Sequence, residues 1–363
     1  MRDSLLRSTV VTLAAALGIA LMASPSAAAP DGGATASPGT TTSCRMGDLA
    51  DCTAKCTKND ADACATLGWM HVVAKGAPKD PAKAVTYLQK ACTGKSGRGC
   101  VDLAYLYEFG IGVPKDEAKA LADYTAACND KNLYGCSHLG QMYEFGKGAS
   151  IDYAKAAGFF KQACDGGEAR GCTHLGWLTE HGKGVAKDEP KAALLYKGAC
   201  DKKEGYACAN LGKMFEEGRG GNPKDEARAI VYYKDACDDR VMLACVHLGY
   251  TYEKGLGGAP KDFAKAAGLY KEACDHHEMM GCNNLGVLYA NGHGVTKDEA
   301  KAVSLYKQGC EHGNVISCSN YGWHLYNGIG VAKDQTKGLE LLTKACAAKN
   351  AWACEKVKSV AKH

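Results

Sequence analysis

Cysteines recur in pairs eight residues apart, and the pairs themselves recur every 36 or 37 residues. Nine pairs follow this rule: Cys56 with Cys64, Cys92 with Cys100, Cys128 with Cys136, Cys164 with Cys172, Cys200 with Cys208, Cys237 with Cys245, Cys274 with Cys282, Cys310 with Cys318, and Cys346 with Cys354. A fixed period of this size signals a solenoid, in which each unit buries its apolar face only against its neighbours. Everything else in the chain is a copy, a cap or a leader.

The stretch from Cys100 to Cys136 shows what one unit contains. After each second cysteine comes an apolar residue and a small one, then an aromatic or apolar pair, then a glycine-rich loop, as in CSHLGQMYEFGKG and CTHLGWLTEHGKG. Leu139, Met142 and Tyr143 stand at helical spacings of three and four, so a short helix, helix A, is expected over about ten residues from Cys136 to Phe145. The small residue after the leucine (Gly68, Ala104, Gly140, Gly176, Gly212, Gly249, Gly286, Gly322) lowers helix propensity, which fits a close approach of a neighbouring helix. Helix A should stop at a GxG doublet such as Gly110 and Gly112. Lys-Asp follows in seven units, and Asp152 stands without the lysine in an eighth. The aspartate is a good N-cap for a second helix, B, which runs to the next cysteine.

The cysteine spacing decides the junction between units. Two residues eight apart in one continuous helix sit about 12 Å apart, whereas the Cα atoms of a disulfide lie within about 7 Å. The chain must turn back between them, in segments such as NDKNLYG, so that each bridge staples the end of helix B to the start of the next helix A. Cys44 and Cys52 form a tenth pair at the same spacing with no full unit before it, and we read it as a disulfide of the N-terminal cap.

Twenty cysteines in 363 residues call for an oxidising compartment. The leader agrees. Met1 to Ala28 carries Arg2 and Arg7, an apolar run from Val10 to Met22 and small residues up to Ala28, the layout of a secretory signal peptide. The mature chain is therefore expected to be secreted or periplasmic, with no membrane span after cleavage. Residues 29–43 read as a flexible linker, 44–63 as an N-terminal helical cap, 64–353 as eight repeats and 354–363 as a C-terminal helical cap. The net charge of +4 is spread over interleaved charges of both signs, so no nucleic-acid tract is expected. The expected state is a monomer.

The fold class is thus all-α, a right-handed solenoid of antiparallel helix pairs. The motifs LG-x-x-Y/F-x-x-G-x-G-V-x-K-D and K-A-x-x-x-Y-x-x-A-C resemble the Sel1-like repeats, relatives of the tetratricopeptide repeat, over about Cys44 to Lys362. The Cys-x7-Cys staple is similar to that of the secreted cysteine-rich branch typified by the Helicobacter cysteine-rich proteins. That resemblance implies a scaffold or peptide binder whose helices A line the concave face, and for the cysteine-rich branch it also implies penicillin binding or weak β-lactam hydrolysis.

Three columns of helix A then become candidate ligand contacts. The second residue after each helix A cysteine is Thr66, Asp102, His138, His174, Asn210, His247, Asn284 and Asn320. One turn on come Trp69, Tyr105, Gln141, Trp177, Lys213, Tyr250, Val287 and Trp323. A third column runs from Val73 and Phe109 to Asn327. Amide and imidazole donors beside aromatic rings suit an extended peptide or a carboxylate terminus. The same His and Asn residues equally suit a structural ladder that bonds across to the next helix. For β-lactam chemistry the sequence offers only Ser304 with Lys307, in Ser-x-x-Lys spelling, and a second such run from Ser359 to Lys362, neither with a Ser-Asp-Asn or Lys-Thr-Gly partner. His276-His277 lies in a turn and lacks metal-site spacing, so no metal and no cofactor are expected.

Overall fold

The computed structural model describes residues 43–360. The expected signal peptide and the linker up to residue 42 lie outside the described residues, as does Lys362. Among the described residues there are eighteen α-helices and no strand. They fall into two compact units that divide between Glu204 and Gly205.

The first unit holds α1 (Leu49–Thr57) and four helix pairs: α2 (Ala61–Val73) with α3 (Pro81–Thr93), α4 (Gly97–Phe109) with α5 (Glu117–Asn129), α6 (Leu133–Phe145) with α7 (Tyr153–Asp165), and α8 (Ala169–His181) with α9 (Glu189–Cys200). The second holds α10 (Gly205–Glu217) with α11 (Glu226–Asp238), α12 (Met242–Lys254) with α13 (Phe263–Asp275), α14 (Met279–Asn291) with α15 (Glu299–Glu311), α16 (Val315–Asn327) with α17 (Gln335–Ala347), and then α18 (Ala351–Val360). Within each unit every helix packs on the next in the chain, and A helices of successive pairs also touch, as α2 touches α4 and α12 touches α14. That contact pattern makes a solenoid.

The local chemistry of each pair follows the repeat. Every helix B opens on its aspartate, as expected: Asp116 Oδ1 accepts from the Lys119 amide at 3.0 Å, and the seven equivalent residues do the same at 2.9 to 3.0 Å. In α6 helix A stops at the first glycine of GxG, where Gly146 has φ of 70° and returns its amide to Met142, whereas α2 ends at Ala74, also left-handed with φ of 56°. The two longer repeats place their extra residue at Gly221 and Gly258, both at positive φ.

Helix A begins earlier than the cysteine. In α6 the helix starts at Leu133, not Cys136, because the Asn132 side chain accepts from the Gly135 amide and so caps a turn in which the apolar period has not yet begun. The same correction applies along the chain: α2 starts at Ala61 before Cys64, α8 at Ala169 before Cys172, α14 at Met279 before Cys282, and α18 at Ala351 before Cys354. The link from helix B to α6 is then only Asp130, Lys131 and Asn132, with Lys131 at φ of 60°.

A tight link of this kind brings the two cysteines together. The bridges join the expected partners. In the first unit they are Cys44 to Cys52, Cys56 to Cys64, Cys92 to Cys100, Cys128 to Cys136 and Cys164 to Cys172. In the second they are Cys237 to Cys245, Cys274 to Cys282, Cys310 to Cys318 and Cys346 to Cys354. Their Cα separations run from 4.4 to 5.2 Å, well inside the reach of a disulfide. Cys200 and Cys208 are also disulfide-bonded, and no described cysteine is free.

The core sits between the A and B helices. The small residue of helix A faces an aromatic ring of helix B in the same pair: a Cβ on Gly140 would meet Phe160, one on Gly176 would meet Tyr196, and one on Gly249 would meet Tyr270. The packing role expected for that residue is therefore what the structure shows. Each tyrosine of this set is almost wholly buried, so its hydroxyl needs a partner. A glutamate near the end of helix A provides it, with Tyr124 donating to Glu108 at 3.0 Å, Tyr196 to Glu180 at 2.9 Å and Tyr270 to Glu253 at 3.0 Å.

Candidate ligand-binding face of the A helices

In the first unit the predicted columns are mostly taken up by the protein itself. Tyr105 is buried, edge-on to Trp69 at 6.2 Å and tilted against Phe109 at 4.6 Å. His138 is half-buried and stacks on Tyr124, which belongs to the preceding pair, at 4.9 Å. Burial, helped by Arg170, pushes its imidazole down to about 3, so it is neutral at pH 7. His174 stacks on Phe160 in the same way at 4.7 Å and is only 2% exposed. Both of its ring nitrogens are engaged, Nδ1 with Glu144 at 3.0 Å and Nε2 with the Gln141 side-chain amide at 2.9 Å. Trp177 is buried against His181 at 4.5 Å with the Lys183 ammonium 4.5 Å above its ring.

Asp102 occupies the same column as the histidines. Its carboxyl is buried, with Arg98 3.6 Å away, and burial outweighs the guanidinium to push it up to about 7. Its Oδ2 makes no hydrogen bond among the described residues.

The second unit presents the face more openly. Asn210 is buried, whereas His247 is half-buried, stacks on Tyr233 at 4.8 Å and has Nδ1 3.8 Å from Glu216. Burial again lowers its imidazole against the pull of Glu216. Tyr250 and Trp323 are half-buried and offer ring surface. Asn320 donates to Asn283 Oδ1 at 2.9 Å, and Asn283 donates to Asn284 Oδ1 at 3.2 Å, which links the two column residues. Asn284 is 3% exposed, and its Nδ2 lies beside the Tyr270 hydroxyl without a hydrogen bond of ordinary geometry.

Ten of the predicted contacts divide by exposure. Tyr105, His174, Trp177, Asn210 and Asn284 are buried, and His138, His247, Asn320, Tyr250 and Trp323 reach the surface in part. The preceding helix B lays an aromatic ring against the histidines of this column, as at His138, His174 and His247. Reading helix A from the cysteine also hid a fourth column two residues before it, which continues the face by one turn. In the second unit this column is Tyr206, Leu243, Met280, Ile316 and Trp352, all half-buried. Its signal was present as the spacing i, i+4, i+7 with the two columns that were found.

Ser304 and Lys307 lie elsewhere. Both are exposed on α15, a helix B, and Lys307 faces Glu311 at 3.8 Å. His276 and His277 are exposed in the turn after α13, and His277 lies near His312 with ring centres 6.3 Å apart. Cys237 and Cys245 gather with Glu272, yet the two sulfurs are bonded to each other.

Sel1 repeats match eight segments, 61–96, 97–131, 133–168, 169–203, 205–239, 243–277, 280–314 and 315–350. The chain belongs to the Sel1 repeat family. Each match is one A/B pair, starting at the capped turn before the cysteine. No curated protein sequence matches the chain. Among solved structures, the chain is similar to a protective antigen of uropathogenic Escherichia coli that displays an SLR fold, at 26% identity and TM-score 0.64 over 85% of this chain and 65% of that one. It therefore spans about two thirds of that antigen's length. A Sel1 repeat protein from Oxalobacter formigenes shares the fold at 23% identity and TM-score 0.58, over 85% of this chain and 89% of that one. Helicobacter pylori cysteine rich protein B is 32% identical over 34% of this chain and 90% of its own, with TM-score 0.30. The Sel1 chain is thus a disulfide-bonded repeat scaffold of a family built for protein interaction. Its bridges require an oxidising environment outside the reducing cytosol, and none of its described helices is long and apolar enough to cross a membrane.

Proposed function

We propose that this protein is an exported scaffold that holds an extended peptide or protein segment along the A helices. The observation that carries the reading is the second unit's face, where the rings of Tyr250 and Trp323 and the side-chain amide of Asn320 are half-buried and reach the surface in part. Aromatic rings take apolar side chains, and primary amides match both the donors and the acceptors of a peptide backbone. Export rests on the Met1 to Ala28 leader and on the fully bonded cysteines. The protein acts as a single chain.

A β-lactamase has less to stand on. The one Ser-x-x-Lys pair among the described residues sits on an exposed outer helix surface, with the lysine facing a glutamate and not the serine. The experiment is a binding screen of the oxidised, leader-free protein against a peptide library, repeated with Tyr250→Ala and Trp323→Ala. Capture should fall at least tenfold in the double variant while the thermal midpoint stays near that of the parent, since both rings are partly exposed. Unchanged capture by the double variant sinks the reading.

A further inference from the structure

The second-residue column does not stop at Asn320. Another 36 residues on it reaches Lys356 in α18. Gln141 and His174 show what this register does: a residue of one helix A meets the residue 33 positions later, on the next helix A. Trp323 and Lys356 stand in the same relation, with the Lys356 ammonium 4.9 Å from the Trp323 ring centre. It is also 5.4 Å from the ring of Trp352, which lies edge-on to Trp323 at 6.0 Å. All three side chains are half-buried.

The charge of Lys356 is the notable point. On the same face, Lys254 lies over Tyr250 and is neutralised by Glu253 at 2.6 Å. Lys356 has no carboxylate partner among the described residues. A partly desolvated cation held by two indoles is a place for an anion, and apolar surface lies directly beside it. The column also has an order. The half-buried amide of Asn320 stands one repeat before Lys356 in this column. Backbone groups followed by a terminal carboxylate would meet these side chains in that order.

We propose that Lys356 receives the C-terminal carboxylate of an extended peptide, whose last apolar side chain packs on Trp323 and Trp352 and whose backbone follows Asn320. This deepens the peptide-scaffold reading and depends on it. The partner is thus a protein that presents a free, apolar C-terminus.

The test uses two random octapeptide libraries, one with free C-termini and one C-terminally amidated, against the oxidised, leader-free chain. The free library should yield binders with an apolar last residue. Amidation of a selected peptide should weaken binding at least tenfold in the parent protein, the size of one charge-assisted contact. That penalty should vanish in Lys356→Met. Equal capture from both libraries, or an amidation penalty that persists in Lys356→Met, overturns the carboxylate site and leaves peptide binding standing. No capture from either library overturns both. The amidation comparison in the parent needs no variant, and the thermal midpoint of Lys356→Met reports whether it folds.

Discussion

Glu144 takes a hydrogen bond from His174 at 3.0 Å where the equivalent glutamates take one from a tyrosine hydroxyl. The difference is Phe160, which fills the tyrosine position of its repeat without an oxygen. The carboxylate accepts, so Nδ1 carries the proton, and the Gln141 amide donates to Nε2. One missing hydroxyl has thus been replaced by a side chain from the next helix A, and the histidine column becomes a ladder at that point.

That exchange predicts opposite effects for two substitutions. His174→Ala leaves the Glu144 carboxylate buried without its donor and should cost about 3 kcal/mol of unfolding free energy. Phe160→Tyr should instead stabilise by about 1 kcal/mol, because Glu144 Oε1 is buried, makes no hydrogen bond among the described residues and can accept the new hydroxyl. Chemical denaturation of both variants checks the pair.

Asp102 and His138 set opposing pH dependences in the same unit. Asp102 is pushed up from 3.8 to about 7, so the folded state binds its proton more tightly, and its contribution to stability is full below about 4 and lost as pH rises to 7. His138 is pushed down from 6.5 to about 3, so its contribution is full above 6.5 and lost as pH falls toward 3. Between pH 4 and 6.5 the two slopes oppose each other. Asp102→Asn removes the first, so the stability of this variant relative to the parent should rise from pH 4 to about 7 and level off above it. A constant difference across that range in urea titrations contradicts the buried carboxyl.

Two glycines of adjacent helices should respond in opposite ways to alanine. A Cβ at Gly249 would come 2.7 Å from the Tyr270 ring, and overpacking there should cost about 1 to 3 kcal/mol. Gly268, exposed on α13, has nothing within 4 Å of an added Cβ, so Gly268→Ala should gain up to about 1 kcal/mol from helix propensity. Thermal midpoints of the two variants suffice.

Each staple closes a small loop. Replacing Cys310 and Cys318 together by Ala should cost about 2 to 3 kcal/mol on the chain-entropy account. Guanidinium unfolding under oxidising conditions measures it.

Ser304→Ala should leave stability within about 0.5 kcal/mol, since the side chain is exposed on an outer helix surface. Any turnover of a chromogenic cephalosporin by the parent should survive the change. Loss of turnover in this variant alone would give Ser304 a role its surroundings do not suggest.

Residue order set the period, the helix pair, the aspartate caps, the glycine stops and the cysteine partners. These are local: a cap needs one side chain and three amides, and a bridge across eight residues leaves the chain no choice but to turn. It did not determine where helix A begins, because the Asn132 cap acts on a turn without apolar periodicity. That misplaced start hid the column from Tyr206 to Trp352. Nor could spacing separate a ligand column from a ladder. His138, His174 and His247 share one repeat position, yet whether each nitrogen is used up depends on the ring beneath it and the glutamate beside it, which come from other helices. Packing between repeats set the rest: His174 is occupied, Asp102 is buried beside one guanidinium, and Lys356 stands between two indoles with no carboxylate partner among the described residues.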